Sequence, residues 1–479
     1  MKKRFLTNLA LLILLNLLIK PFWFFGIEVG VQNRVGEEMY GFYFSLFNWA
    51  FIWNILLDVG INNFNNRAIS RDHSLLKDNL AAIIPLKLVL VLVYAGVVLV
   101  SGKIINYSPE QIRLLWILIV NQFLAMFILY FRTNISGMQY FRTDSLMSVM
   151  DRSLMILFTG LLLWGNITEK PFRIEWFVYT QTLSYSLTLI AAASIVRYRS
   201  GAFIGRINFR RSVEILRKSY PFALLILLMA LFNRIDSVML ERLLDNGKTE
   251  AGIYAQSFRV FDAASQFSFL FAMLLLPMFS RMIKLGENVN DLIRTALPLL
   301  MVAGLSAAIA SNFYGSEIID GMYHSTVERS ATVFGLLMIG FLFVSLSYIY
   351  GTLLTANNNL KQLNMLAGIT VVINISLNLI LIPDYHAVGA AISSVTSQAF
   401  FAFTQLILAG RILKIPLNGD ILIRLAAFLS FNLITGFLTL YIPGWIPGLL
   451  ILLSSCLVSA LLLGLIRPGE LLDTLNKDE

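Results

Sequence analysis

Long apolar runs separated by short polar joints dominate the chain. The first run follows Met1-Lys2-Lys3-Arg4 and continues through aromatic residues without a small-residue cleavage site, so it predicts a spanning helix and not a removable leader. A span needs about 20 mostly apolar residues, and about fourteen stretches meet that measure. They are 5–32, 40–63, 80–101, 112–132, 144–165, 175–196, 219–241, 252–280, 295–313, 331–355, 362–382, 387–410, 422–442 and 446–466. The joints are too short for a soluble catalytic domain. The longest, Arg197 to Lys218, is basic and amphipathic and predicts a segment lying along the membrane surface. The expected fold is all-α and polytopic.

Composition agrees with this pattern. Hydrophobic residues make up 57% of the chain, charged residues 14%, and the mean hydropathy is +0.75. That leaves too little polar surface to cover a water-soluble globule of this length. The net charge of +9 would suggest nucleic acid in a soluble protein. Here topology explains it. With a cytoplasmic N-terminus, about 24 of the Lys/Arg residues fall on the cytoplasmic side, about 8 outside and about 5 within spans, as the positive-inside rule expects. The single cysteine, Cys456, excludes a disulfide framework, and His73, His324 and His386 lie in separate joints.

The chain repeats itself. Gly41-Phe42-Tyr43 followed by Phe47 matches Gly252-Ile253-Tyr254 followed by Phe258, at an offset of about 211 residues. Thr133, Ser136, Gly137, Gln139 and Arg142 match Thr352, Thr355, Ala356, Asn358 and Lys361, at about 219. Both matches pair span n with span n+6, so the halves have the same orientation. Such parallel repeats typify transporters with two bundles around a central cavity. The expected organisation is a six-helix bundle over 1–200, a basic cytoplasmic linker over 201–218, and a second six-helix bundle over 219–411. Two extra spans follow over 421–466, then a cytoplasmic tail over 467–479.

Charges within spans are the candidate functional residues, because each costs roughly 2.5–3.5 kcal/mol at the bilayer centre even on insertion scales. Lys20, Lys87, Arg152, Arg234 and Arg259 are candidate cavity cations for a phosphate or acidic sugar. Glu28, Asp58, Asp236 and Asp262 are candidates for binding a coupling H+ or Na+, or for balancing the cations. Gln256 and Gln266 share a helical stripe with Arg259 and predict a polar cavity lining. The alternative for any of these pairs is a lock between helices, above all for adjacent Asp151 and Arg152. Asp58, followed by Gly60, also reads as a hinge or a helix end.

No GxxxxGK[ST], HExxH, CxxC or GxSxG motif occurs, and no cofactor is indicated. Short outer joints disfavour an enzyme such as a membrane-embedded polysaccharide polymerase or ligase. Arg67 to Lys77 lacks the glycine expected of a major-facilitator transporter.

Several stretches resemble a known family. Gly351, then Leu377-Asn378-Leu379-Ile380-Leu381-Ile382-Pro383 and Val388-Gly389-Ala390-Ala391, are similar to the polysaccharide repeat-unit flippases of the multidrug/oligosaccharidyl-lipid/polysaccharide exporter superfamily. Arg234, Asp236 and Gly252-Ile253-Tyr254 resemble that family's seventh-to-eighth helix junction, and Asp58, Gly60 and Arg67 its second helix. The resemblance implies two six-helix bundles forming a V, plus two helices. It implies an undecaprenyl-diphosphate-linked oligosaccharide, such as an O-antigen repeat unit, moved to the outer leaflet of the bacterial inner membrane by alternating access. Both termini would be cytoplasmic, and polysaccharide polymerase machinery is an implied partner. Lipid II flippases and multidrug/cation antiporters of the same superfamily are the nearest alternatives; the number of intramembrane cations favours an anionic cargo over a cationic drug.

Overall fold

The computed structural model describes residues 15–466, apart from 17, 166, 168, 201–208, 325–326 and 416–418, and is helical with no strand among those residues. The elements in order are a π-helical segment α1 (Phe22–Glu28), α2 (Val29–Ile52), a 3-10 turn (Trp53–Leu57), α3 (Ile61–Arg71), α4 (Leu76–Ile104), α5 (Pro109–Gly137), α6 (Phe141–Trp164) and α7 (Ile174–Ser200). Then follow α8 (Phe209–Leu243), α9 (Gly247–Leu285), α10 (Asn290–Met322), α11 (Val327–Ala356), α12 (Leu360–Leu413), α13 (Gly419–Thr439) and α14 (Trp445–Leu462). Among the described residues, ten helices are long and apolar enough to cross a membrane. The chain is a multi-pass membrane protein. Residues 1–14, most of the 201–218 linker, the tail from 467 and the Arg67 side chain lie outside the described residues.

Ten is fewer than the expected fourteen for identifiable reasons. α12 carries two expected stretches in one element. It leaves helical geometry at His386 (φ 55°), and a Cβ on Gly389 would collide with the Leu381 carbonyl. Residues eight apart meet in that way only where the chain folds back. α2 folds back likewise at Gly36 (φ 81°), which brings the Tyr40 hydroxyl to 2.7 Å from Glu28. α7 carries Thr180, Gln181, Thr182, Ser184, Ser186 and Thr188, and is too polar to count on apolarity alone.

The chain forms two compact units, 1–252 and 253–479. α8 and the start of α9, to Gly252, pack within the first unit. Asn48 on α2 donates to Ser237 on α8 at 2.8 Å, and Gln111 on α5 donates to Glu241 at 2.8 Å. In the first unit, α3, α4, α5 and α7 share a core that includes Ile61, Ile69, Leu80, Phe131 and Val196. α5 starts on a capping box in which Ser108 and Gln111 bond each other's backbone, with Pro109 at the first helical position. In the second unit, α13 and α14 are stitched by Asn432, which donates to Ser459 at 2.9 Å and accepts from Ser455 at 2.7 Å. They bury Phe428 and Cys456 against Val302 and Leu305 of α10.

Ends expected on one side of the membrane do meet. Arg242, at the end of α8, donates to the carbonyls of Ile105 and Asn106 after α4, at 3.0 and 3.1 Å. At the opposite end of the first unit, Arg199 lies 4.6 Å from the Tyr140 ring, and Arg132 pairs with Asp144 at 2.9 Å. There Asp72 accepts from the Ser74 hydroxyl at 2.6 Å and backbone N–H at 2.9 Å, which holds its carboxyl below the usual carboxylate range.

The repeat is visible as a reciprocal crossing. A Cβ on Gly41 would run into the Lys248 carbonyl, four residues before Gly252. A Cβ on Gly252 would run into the Glu37 carbonyl, four residues before Gly41. Matched glycines thus let matched helices touch backbone to backbone. Gly41→Ala or Gly252→Ala is therefore expected to cost at least the ~1–3 kcal/mol typical of overpacking. The check is the melting temperature of purified protein. Melting at the wild-type temperature in both variants would show that the crossing yields without penalty.

Candidate functional site

The first unit gathers charge around α1. Seven residues of π-helix, entered through Pro21, place Trp23 and Glu28 toward the interior. A π-helical stretch is rare and frequent at functional sites, because the extra residue per turn redirects side chains. Glu28 is buried and accepts from the Tyr40 hydroxyl at 2.7 Å. Arg152 on α6 lies 5.1 Å from the Trp23 ring and 3.8 Å from the Asp151 carboxylate. Glu28, Tyr43 and Tyr185 stand within its electrostatic reach, and Lys20 lies within that of Arg152 and Asp151. Trp23 stacks on Phe177 with ring centres 5.9 Å apart, and Gln181 donates to the Tyr43 hydroxyl at 3.1 Å. Two cations, two carboxylates, three tyrosines and an amide therefore share one neighbourhood within the spans.

Other expected site residues lie elsewhere. Lys87, expected among the cavity cations, is fully buried and pairs with Asp58 at 2.8 Å, so it fastens α4 to the chain after α2. Gln256, expected to line a cavity, is also buried. It accepts from the Ser330 hydroxyl and knits α9 to α11. Gln266 is exposed and does not share that buried stripe. Arg234 lies 4.7 Å from the Phe51 ring and 3.4 Å from the Asn48 amide oxygen, while Asp236 is fully buried in the same unit. Arg259 is buried and Asp262 half-buried, both on α9 in the second unit.

Trp23, Tyr40, Tyr43, Gln181 and Tyr185 were not among the expected site residues. Their signal was weak. Tyrosines in an apolar run read as an interfacial belt, although Tyr43 belongs to the repeated Gly41-Phe42-Tyr43 and Gln181 and Tyr185 to the polar run of α7.

Comparisons with known proteins bear on this arrangement. Residues 5–283 match the model of a family described as polysaccharide biosynthesis protein. The chain belongs to that family. No curated protein sequence matches it significantly. Among solved structures it is similar to "Lipid II flippase MurJ, inward closed conformation", at 14% identity with a TM-score of 0.70, covering 93% of this chain and 98% of that one. It is similar to an inward-facing multidrug resistance MATE family transporter of the MOP superfamily, at 14% identity, TM-score 0.64, over 84% and 97% of the two chains. A MOP superfamily transporter from Pyrococcus furiosus gives 14% identity, TM-score 0.58, over 85% and 94%. The chain shares the fold of these transporters.

The Tyr40–Glu28 bond predicts a measurable penalty. Tyr40→Phe leaves a buried carboxylate short of its donor and is expected to cost about 1–3 kcal/mol. Glu28→Gln still accepts the bond and loses less. Thermal unfolding of both variants in detergent checks the order, and equal melting of Tyr40→Phe and wild type would contradict it.

Proposed function

We propose that this chain is a flippase for polyprenyl-diphosphate-linked oligosaccharide, carrying a repeat unit of the O-antigen or capsule type from the cytoplasmic to the outer leaflet of the bacterial inner membrane by alternating access. Its role is transport and not catalysis, and both termini are cytoplasmic. Membership of the polysaccharide biosynthesis family is the observation that carries the reading. The transporter fold supports it.

The chemistry of the first unit fits such a cargo. A diphosphate crossing a bilayer needs cations inside the spans, because water is excluded there. Arg152 and Lys20 supply two, and guanidinium suits phosphate through its planar fork of donors. Sugar hydroxyls need amide and phenol partners, and sugar faces pack on aromatic rings. Tyr40, Tyr43, Gln181, Tyr185 and Trp23 provide both beside Arg152. Arg234 and Arg259 are further candidate cargo contacts. Lys87 is left out of this set because Asp58 already holds it.

Lipid II is the cargo named for a similar structure. The family description favours polysaccharide over it. Complementation separates the two: this chain is expected to rescue a strain lacking its repeat-unit flippase and to fail in one lacking its lipid II flippase.

Arg152→Ala, Arg234→Ala and Arg259→Ala are each expected to abolish surface polysaccharide in the rescued strain at unchanged protein level. Lipid-linked repeat units should accumulate on the cytoplasmic leaflet. Normal surface polysaccharide in all three variants would remove the cation-based account of cargo binding.

A further inference from the structure

In the second unit, the ends of α11 and α12 enclose a cavity of about 360 Å³, lined by Tyr350, Leu406, Ile407, Gly410, Arg411 and Ile415. That size lies within the ~300–1,000 Å³ of small-molecule sites. α12 stops beside it. Lys414 takes left-handed backbone (φ 51°), and the chain bends over the helix end. The Ile415 carbonyl then lies 3.8 Å from where a Cβ on Gly410 would stand.

Two polar side chains at this cavity have nothing to bond. Tyr350 is 4% exposed, and its hydroxyl has no hydrogen-bond partner among the described residues. Arg411 is exposed and has neither an ion pair nor a hydrogen bond among them. Just behind, Gln405 is 2% exposed and its Oε1 is also without a partner, 3.1 Å from where a Cβ on Gly351 would stand. A buried polar group left idle costs about 1–3 kcal/mol, so it marks a place where a ligand can bond. The matching end of the first unit differs. The internal repeat pairs the end of α5 with that of α11, and around α5 the cations are taken. Arg132 pairs with Asp144 at 2.9 Å, and Arg199 lies 4.6 Å from the Tyr140 ring.

Away from Arg411 the surface turns apolar. Phe403, Ile407 and Arg411 are spaced four apart, all exposed, and form one stripe of α12. Phe403 meets Phe343 of α11 edge to face, with ring centres 5.6 Å apart. An apolar stripe that ends in a cation at the helix end matches a lipid, chain against the stripe and headgroup at the cation.

We propose that this cavity binds the phosphate of an anionic membrane phospholipid, with Arg411 and the Tyr350 hydroxyl donating to it and one acyl chain lying along Ile407 and Phe403. Charge selects that occupant. The lining residues carry one positive charge and no carboxylate, which suits a singly charged phosphodiester such as phosphatidylglycerol. A zwitterionic headgroup brings an ammonium that meets no carboxylate here. A diphosphate brings more negative charge than one guanidinium answers, and free phosphate uses none of the apolar stripe. Lys414, exposed at the same turn, adds to the attraction. The bound phosphate ties the end of α11 to the last turn of α12. With both termini cytoplasmic, this end faces the cytoplasmic leaflet; the leaflet rests on the flippase reading, and the site does not.

Native mass spectrometry of the full chain, titrated with phosphatidylglycerol in detergent, tests the site. The wild type is expected to bind phosphatidylglycerol more tightly than phosphatidylcholine. Arg411→Ala should weaken phosphatidylglycerol binding roughly tenfold or more, and Tyr350→Phe about fivefold. Both variants should melt like the wild type in phosphatidylcholine, because neither group bonds protein. Only the wild type should gain its full rise in melting temperature when phosphatidylglycerol is added. Tyr350→Phe loses one hydroxyl and keeps its packing, so it reads the site even where Arg411→Ala fails to fold. Equal phosphatidylglycerol binding by wild type and both variants overturns the proposal, as does equal wild-type affinity for phosphatidylcholine. Displacement of the lipid by inorganic phosphate overturns it in favour of a free-ion site, and displacement by undecaprenyl diphosphate in favour of a cargo site. A lipid that resists both upholds it. A chain that binds phosphatidylglycerol in this way but flips no lipid-linked sugar keeps the site and loses the flippase reading.

Discussion

The bilayer interior offers no water, so every polar group placed there must find its partner within the protein. That constraint orders most of what the chain does. Hydroxyls in the spans bond back to their own helix, as Thr188 does to the Ser184 carbonyl at 2.8 Å, Ser345 to Phe341 at 2.8 Å and Ser397 to Ser393 at 2.7 Å. Amides pair with amides, as Asn65 does with Asn134. Charges are met by charges, phenols or ring faces: Lys87 by Asp58, Glu28 by Tyr40, Arg152 by Trp23. Polar residues that look expensive in the sequence are therefore affordable once placed, and the atoms left over, such as the Tyr350 hydroxyl, stand out.

The same solvent removes the usual reason for helices to pack, since lipid tails are as apolar as leucine. Close backbone approach takes over. The Gly41–Gly252 crossing shows this in its strongest form, because each glycine lies against the carbonyl four residues before the other. An internal repeat makes the arrangement economical: two copies of one small-residue motif serve as both sides of one contact. Asn432 does comparable work for α13 and α14 with hydrogen bonds to two serines.

The architecture was legible because its signals are coarse. Twenty apolar residues in a row allow few readings, and Gly60, read as a hinge or helix end after Asp58, does stand at the break with a positive φ; Gly36, at the fold-back, was not singled out. The end of α8 meets the end of α4 through Arg242, which donates to the Ile105 carbonyl. Charged residues in apolar runs were legible as special, and four of them do converge around α1. Which charges converge was not legible. Helical periodicity puts Gln256 and Gln266 on one stripe, but only tertiary packing decides that Ser330 claims the first while the second stays exposed. Lys87 and Asp58 were singled out for different roles, and no local pattern joins residues on helices separated by a break. The tyrosines around Arg152 escaped because phenols in a membrane helix have a bland explanation that is usually right.

On the proposed reading, the charges in the first unit pose a definite energetic problem. Lys20, Glu28, Asp151 and Arg152 sum to zero, which is why they can rest within the spans. An arriving diphosphate finds those cations already engaged. Binding it is then an exchange of partners, carboxylate for phosphate, and the carboxylates released must take up protons or turn to water. The free energy at stake is the difference between two sets of charge-assisted contacts and not the full cost of burying an ion. Such differences can be small. A carrier needs that, because a cargo held much more tightly in one arrangement than in the other would stay there.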